Sequence, residues 1–193
     1  MTESRKKSVI KTLIVIGIIV GSLVGSFFII CAVWNTDTPI TVVEGNSMIP
    51  TLSDGDIIFL QKPQNLGDIQ NGSHTGRTGD ILVFYAPLQG FLVIHRVIYK
   101  EFKDGKWYFN TQGDKDGEGP DNLDLYGFPG NGYLPEDYIK GVMIGRIPWI
   151  GNIGIFLRDS GIGIFLIIII LAYLLISSFF DSKSSKSAKK EDK

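Results

Sequence analysis

Two long apolar runs bracket a stretch of short, interrupted ones. Residues 12–34 (TLIVIGIIVGSLVGSFFIICAVW) and 161–180 (GIGIFLIIIILAYLLISSFF) carry no charge. As helices they would extend about 34 and 30 Å, against a bilayer core of about 30 Å, so each predicts a transmembrane helix. The first run is longer than the apolar segment of a cleavable signal and lacks a small-x-small site after it, so it reads as an uncleaved anchor. Trp34 closes it, where an amphipathic ring suits the headgroup zone. The alternative, a buried core helix, asks a chain of this size to enclose two all-round apolar helices.

Residues 35–160 read as mainly β. Short runs rich in Val, Ile, Phe and Tyr alternate with Gly/Asp/Asn/Pro clusters. They predict strands at 40–44, 56–61, 80–85, 91–99, 106–111 and 139–147. No window predicts a helix, and the spacing suits a small barrel or sandwich-like domain. A near-repeat, Gly55-Asp56-Ile57-Ile58 and Gly79-Asp80-Ile81-Leu82, marks turns feeding strands. Residues 65–79 form a polar excursion, residues 112–137 a long acidic loop of the kind that tends to be functional or disordered, and residues 147–157 an apolar stretch suited to a membrane interface.

Charge gives the arrangement a direction. The chain has 193 residues, 44% hydrophobic, and a net charge of −1. Residues 1–11 hold four Lys/Arg and one acid, residues 181–193 five Lys and three acids, and the middle ten Lys/Arg against sixteen Asp/Glu. Basic flanks predict that both termini, 1–11 and 181–193, are cytoplasmic and that 35–160 lies on the extracytoplasmic side. The Lys/Ser-rich tail, without a retention signal, favours a cell membrane over a reticulum membrane. An acidic middle argues against nucleic-acid binding. The single cysteine, Cys31, excludes a disulfide framework and a Cys-based zinc site and reads as a buried, inert thiol.

The candidate chemistry lies in three places. Ser47 sits in Glu44-Gly45-Asn46-Ser47-Met48-Ile49-Pro50-Thr51, directly after a strand, and Pro50 biases the residue before it toward an extended path. A serine needs a base to act as a nucleophile. Of the two histidines, His74 falls in the polar excursion and reads as solvent-exposed. His95 lies in Phe91-Leu92-Val93-Ile94-His95-Arg96-Val97, where alternation puts it on one face with Val93 and Val97 and desolvation favours the neutral imidazole. The acidic loop Gly113-Asp114-Lys115-Asp116-Gly117-Glu118-Gly119-Pro120-Asp121 supplies carboxylates to orient that ring. It lacks EF-hand spacing, so calcium is only weakly supported, and no metal or organic cofactor is implied.

These segments, taken in order, resemble type I signal peptidases of the archaeal and endoplasmic-reticulum branch. The resemblance rests on Ser47-Met48-Ile49-Pro50-Thr51, on His95-Arg96-Val97, on Thr111-x-Gly113-Asp114 with a later Asp, and on Gly145-Arg146-Ile147-Pro148-Trp149-Ile150-Gly151. It runs from about residue 10 to 180. It implies a signal-peptidase-like β catalytic domain, 35–160, flanked by two transmembrane helices. It further implies a serine endopeptidase that removes signal peptides, with Ser47 as nucleophile, His95 where the bacterial branch has lysine, and an Asp assisting it. Asp121 is the nearest match for that Asp, but its spacing from Asp114 is one residue longer than in the eukaryotic pattern, so Asp114 stays open and Asp116 is third. Many relatives carry a Ser two residues before the nucleophile to bind the oxyanion; here that position is Gly45, leaving the backbone N–H of Ser47 as one donor and Asn46 as a conceivable second. The implied partners are preproteins with N-terminal signal peptides and the lipid bilayer, with the Sec translocon as an open candidate. The rival readings are a membrane-tethered β binding module without chemistry and an inactive or partner-dependent signal peptidase subunit.

Overall fold

The computed structural model describes residues 3–128, 132–174 and 176. The chain divides into two compact units, one of residues up to Phe28 and from Phe156 onward, the other Ile29–Ile155.

The first unit is helical. Helix α1 runs Glu3–Val33, and its segment Val9–Val33 is long and apolar enough to cross a membrane. Ile18, Leu23, Phe28 and other apolar side chains around it are exposed, so the helix has no polar face with which to meet water. Toward the C-terminus, helix α2 (Gly151–Asp159) is followed by a helix Ile162–Leu174 at a bend of 91°, and only the pair together has the length of a span. Among the described residues one helix alone is of spanning length, and a second span exists only if the bent pair counts as one, where two transmembrane helices were expected. Residues 175 and 177–180 of the second expected span, and the tail 181–193, lie outside the described residues.

The second unit is a β domain. Its strands are β1 (Ile40–Val42), β2 (Ile57–Gln61), β3 (Ile81–Ala86), β4 (Phe91–Lys103), β5 (Lys106–Gln112), β6 (Leu134–Pro135) and β7 (Ile139–Ile147). Every pairing is antiparallel, in the order β1-β2-β7-β3-β4-β5-β6. This is one sheet with β1 and β6 at its edges, not the closed barrel or two-sheet sandwich that the strand spacing suggests. All six expected strands are present, within a few residues at their ends. Two-residue β6 carries too little pattern to be read.

Alternation along the central strands builds a core on each face of the sheet. Leu82, Phe84 and Ala86 of β3 and Val93 and Val97 of β4 join Phe109, Leu123, Phe128 and Leu134 on one face. Ile81 and Val83 of β3 join Val43, Met48, Leu52, Ile58 and Leu60 on the other, with Leu92 and Ile94 packed against them. Within this unit Trp34 sets its ring edge-to-face on Phe59 of β2 at 6.0 Å, and its carbonyl accepts from Lys62 N. The two Gly-Asp pairs are turns, as expected: Gly55 and Gly79 have φ of +81° and +85°, and Asp56 and Asp80 accept backbone N–H bonds from Ser53 and Gln70.

The helix α2 stands where no window of the sequence predicts a helix. Nine residues with two glycines give too few turns for a helical period to stand out, and Ile153 and Phe156 face outward.

Candidate active site

Ser47 is carried by a turn that the second core cluster holds down. After β1 the chain reverses at Gly45 (φ +105°), whose N–H donates to Asp54 Oδ1 at 2.9 Å. Met48 and Leu52 bury their side chains against Val43, Ile58 and Leu60. The backbone bonds Leu52 N→Met48 O and Ile49 N→Asn46 O close the turn, and Ile49–Pro50 is cis. The path after the serine is therefore compact, not extended as Pro50 suggests; the two buried anchors flanking Ile49-Pro50 draw it inward.

His95 is buried in β4, opposite Leu82 of β3. Its Nδ1 lies 2.6 Å from Asp121 Oδ2. The same oxygen accepts from Thr111 Oγ1 at 2.5 Å, and Asp121 N donates to Thr111 O at 2.8 Å, so Asp121 is held at both ends by β5. A carboxylate at Nδ1 makes that nitrogen the protonated one and leaves Nε2 of the neutral ring as an acceptor. Pairing of β4 with β5 begins at Arg96, so the half of β4 from Phe91 to His95 is paired on its β3 side alone. Around that half opens a cavity of about 820 Å³ lined by Ser47, His95 and Asp121, by Thr41–Gly45, and by Phe91 and Tyr126. Tyr126 has its phenol pushed up to about 12 by burial first and then by the carboxylates of Asp121 and Glu118.

Asp114 is elsewhere. It does not line the cavity. Its side chain is fully buried and takes two bonds from the Arg96 guanidinium, Nε to Oδ1 at 2.7 Å and a terminal nitrogen to Oδ2 at 2.6 Å. Thr51 Oγ1 donates to the same carboxylate. Burial acts to raise the pKa of Asp114, but the bonds from Arg96 and Thr51 and the Arg96 charge outweigh it, and the net shift is downward. Asp116, the third candidate, is exposed, 3.9 Å from Arg77. Asn46 is exposed and does not line the cavity; its Oδ1 lies 3.5 Å from Lys115 Nζ. His74 corrects its expectation: it is half-buried, and its Nδ1 lies 2.8 Å from the Gly113 carbonyl.

The structure thus brings Ser47, His95 and Asp121 to one cavity and sets Asp114 apart. Thr111 and Thr51, which hold the two carboxylates, each sit in a recognised box, but nothing in the sequence assigns them that role. Their partners are 10 and 63 residues away, which composition alone does not reveal. Among the described residues no cluster of three or more His, Cys, Asp or Glu is placed to hold a metal ion.

No family model matches the chain. It is similar to the signal peptidase complex catalytic subunit sec11 of Dictyostelium discoideum, 30% identical over 144 residues that cover 74% of each chain. It is also similar to the SEC11 catalytic subunit of Candida albicans, at 29% over 126 residues (65% of this chain, 69% of that one), and to that of Schizosaccharomyces pombe, at 29% over 137 residues (66% and 71%). At that identity and coverage the chain belongs to the type I signal peptidases, in the branch of the SEC11 catalytic subunits.

Proposed function

We propose that the chain is a membrane-anchored serine endopeptidase that removes N-terminal signal peptides, with Ser47 as nucleophile, His95 as general base and Asp121 as the group that orients the imidazole. The observation that carries this reading is the 2.6 Å contact of His95 Nδ1 with Asp121 beside the cavity His95 shares with Ser47. Ser47 Oγ attacks the scissile carbonyl as its proton passes to His95 Nε2; the ring then gives that proton to the leaving amine. Water, deprotonated by the same ring, releases the acyl group and regenerates the serine. The backbone N–H of Ser47 is one oxyanion donor, a contribution worth about 10²–10³ in rate where single donors have been removed from other enzymes. Asp114 stays outside the chemistry: it holds the nucleophile turn, through Thr51, to the strand that carries the base.

The substrate chemistry follows from where such a site would stand. A secretory signal has an apolar segment followed by small residues at its cleavage site. With residues 12–34 and the bent pair of C-terminal helices as anchors, and 1–11 and 181–193 on the cytoplasmic side, domain 35–160 meets that site at the outer bilayer surface at high effective concentration. Edge strand β1 and the half-paired β4 border the cavity, so an extended peptide entering there can be read by strand addition. The apolar residues Trp149, Ile150 and Ile153 are exposed and suit the interface.

The test is cleavage of a preprotein in detergent by Ser47→Ala and His95→Ala. Both variants are expected to be inactive; retained cleavage in both removes the nucleophile and the base from the proposal. A second reading, a catalytic subunit that works only among partners, is favoured by the complex named for each relative. Turnover by the purified chain alone would exclude it, and turnover restored by co-purifying proteins would support it.

A further inference from the structure

We infer that His74, on the excursion outside the catalytic cavity, is a positioning residue for Ser47: its ring holds the Gly113 carbonyl and thereby the backbone clamp on the nucleophile. This rests on the reading of Ser47 as the nucleophile. The clamp is a short piece of the acidic loop. Lys115 N donates to Ser47 O at 2.9 Å. Gly113 lies so close to that same carbonyl that a Cβ there would sit 2.6 Å from Ser47 O, so position 113 admits glycine alone. Between them, Asp114 bonds Thr51 of the nucleophile turn and Arg96 of β4. The position of Ser47 therefore depends on how the peptides of residues 113–115 are set.

One hold on those peptides comes from the far side. Gly113 is buried, and its carbonyl accepts from His74 Nδ1 at 2.8 Å. A carbonyl only accepts, so Nδ1 carries a proton, and this holds for the neutral Nδ1–H ring and for the imidazolium alike. Without the ring a buried carbonyl loses its partner, and the peptide is free to turn toward water.

The excursion is built to present this ring. Gly72 N donates to Val97 O, Asp80 N to Gln70 O, and Gln70 N to Asp80 Oδ2, which fix its base to β4 and to the start of β3. Thr78 N→Ser73 O, Ser73 N→Thr78 Oγ1 and Arg77 N→His74 O close its tip. None of these bonds uses the His74 ring, so the loop's own turn does not account for it. The returning limb also supplies the Gly79 carbonyl that accepts from Arg96 at 2.6 Å. The excursion thus reaches the clamp at two points, through Arg96 and through Gly113.

The experiment is steady-state cleavage of a preprotein by the full chain in detergent, well below the thermal midpoint of each variant. His74→Ala should lower kcat by about 10- to 100-fold, the scale of a displaced reacting group, with KM within about twofold, because the peptide-binding walls are untouched. In His74→Asn the side-chain Nδ2 reaches the place of the imidazole Nδ1 and should restore most of kcat; in His74→Gln the amide sits one bond further out and should not. Arg77→Ala, which removes a long, exposed ion pair from the same tip to Asp116 of the acidic loop, should behave as wild type. Unchanged kcat in His74→Ala, a change confined to KM, or equal activity of the Asn and Gln variants overturns the inference. If His74→Ala does not fold, the Asn/Gln comparison decides alone. Full activity of Ser47→Ala would instead be the failure of the nucleophile assignment, so the two results are separable.

Discussion

His95 and Arg96 are consecutive in β4, yet each is paired with a different aspartate: His95 Nδ1 with Asp121 at 2.6 Å, Arg96 with Asp114 at 2.7 and 2.6 Å. A strand turns neighbouring side chains to opposite faces. The acidic loop passes close enough to β4 to serve both faces, giving one carboxylate to the cavity and one to the interior.

Asp114→Asn is expected to destabilise the β domain severely. Arg96 and Asp114 are 4% and 0% exposed, and removing one partner leaves the guanidinium buried without its counter-charge, at a cost of about 3–5 kcal/mol. Thermal unfolding followed by circular dichroism should show a midpoint lower by more than about 10 °C. A midpoint within a few degrees of wild type would remove Asp114 from the framework.

The same carboxylate gives the domain an acid limit. Its pKa in the folded state is below the ordinary value of 3.8, so the folded state binds this proton less readily than the unfolded chain does. The stabilisation is complete above the unfolded pKa and is lost as pH falls through the lower folded one. The gap in thermal midpoint between wild type and Asp114→Asn should therefore be constant near neutral pH and narrow below about pH 4. A gap independent of pH down to acid unfolding would contradict the assignment.

Asp121→Asn should leave the fold in place and remove most turnover. An amide at Nδ1 permits the wrong tautomer, a change that costs about 10⁴ in kcat in serine proteases. Thr111→Val, which keeps the shape but deletes a hydrogen bond to Asp121, should lower kcat more mildly and by the same route. Measuring kcat and the thermal midpoint together separates these variants from Asp114→Asn: the Asp121 change should show in rate, the Asp114 change first in stability.

Gly45→Ser should not improve catalysis. Space is open, with nothing within 4 Å of an added Cβ, but φ of +105° is a conformation L-residues rarely adopt, and holding one there costs on the order of 1–3 kcal/mol. The expected result is a less stable protein with kcat no higher than wild type. A faster enzyme would mean that the turn relaxes to admit a hydroxyl as a second oxyanion donor.

Much of this could be read along the chain because it depends on local pattern. Apolar run length marked α1, short apolar runs between turn residues marked the six main strands, and alternation placed His95 with Val93 and Val97. Gly-Asp punctuation marked the turns before β2 and β3. The boxes around Ser47, His95 and Asp114 were recognisable because each is short and contiguous. Tertiary structure alone decided which carboxylate meets which base, since Asp114 and Asp121 share one loop and one composition and differ in whether Arg96 or His95 lies opposite. It also decided that the sheet is single and open, that the second apolar run begins with a bend, and that His74, half-buried, reaches the Gly113 carbonyl. Period and composition report on neighbours in sequence, whereas hydrogen bonds such as Thr51 to Asp114 join residues whose proximity exists only once the sheet has brought their elements together.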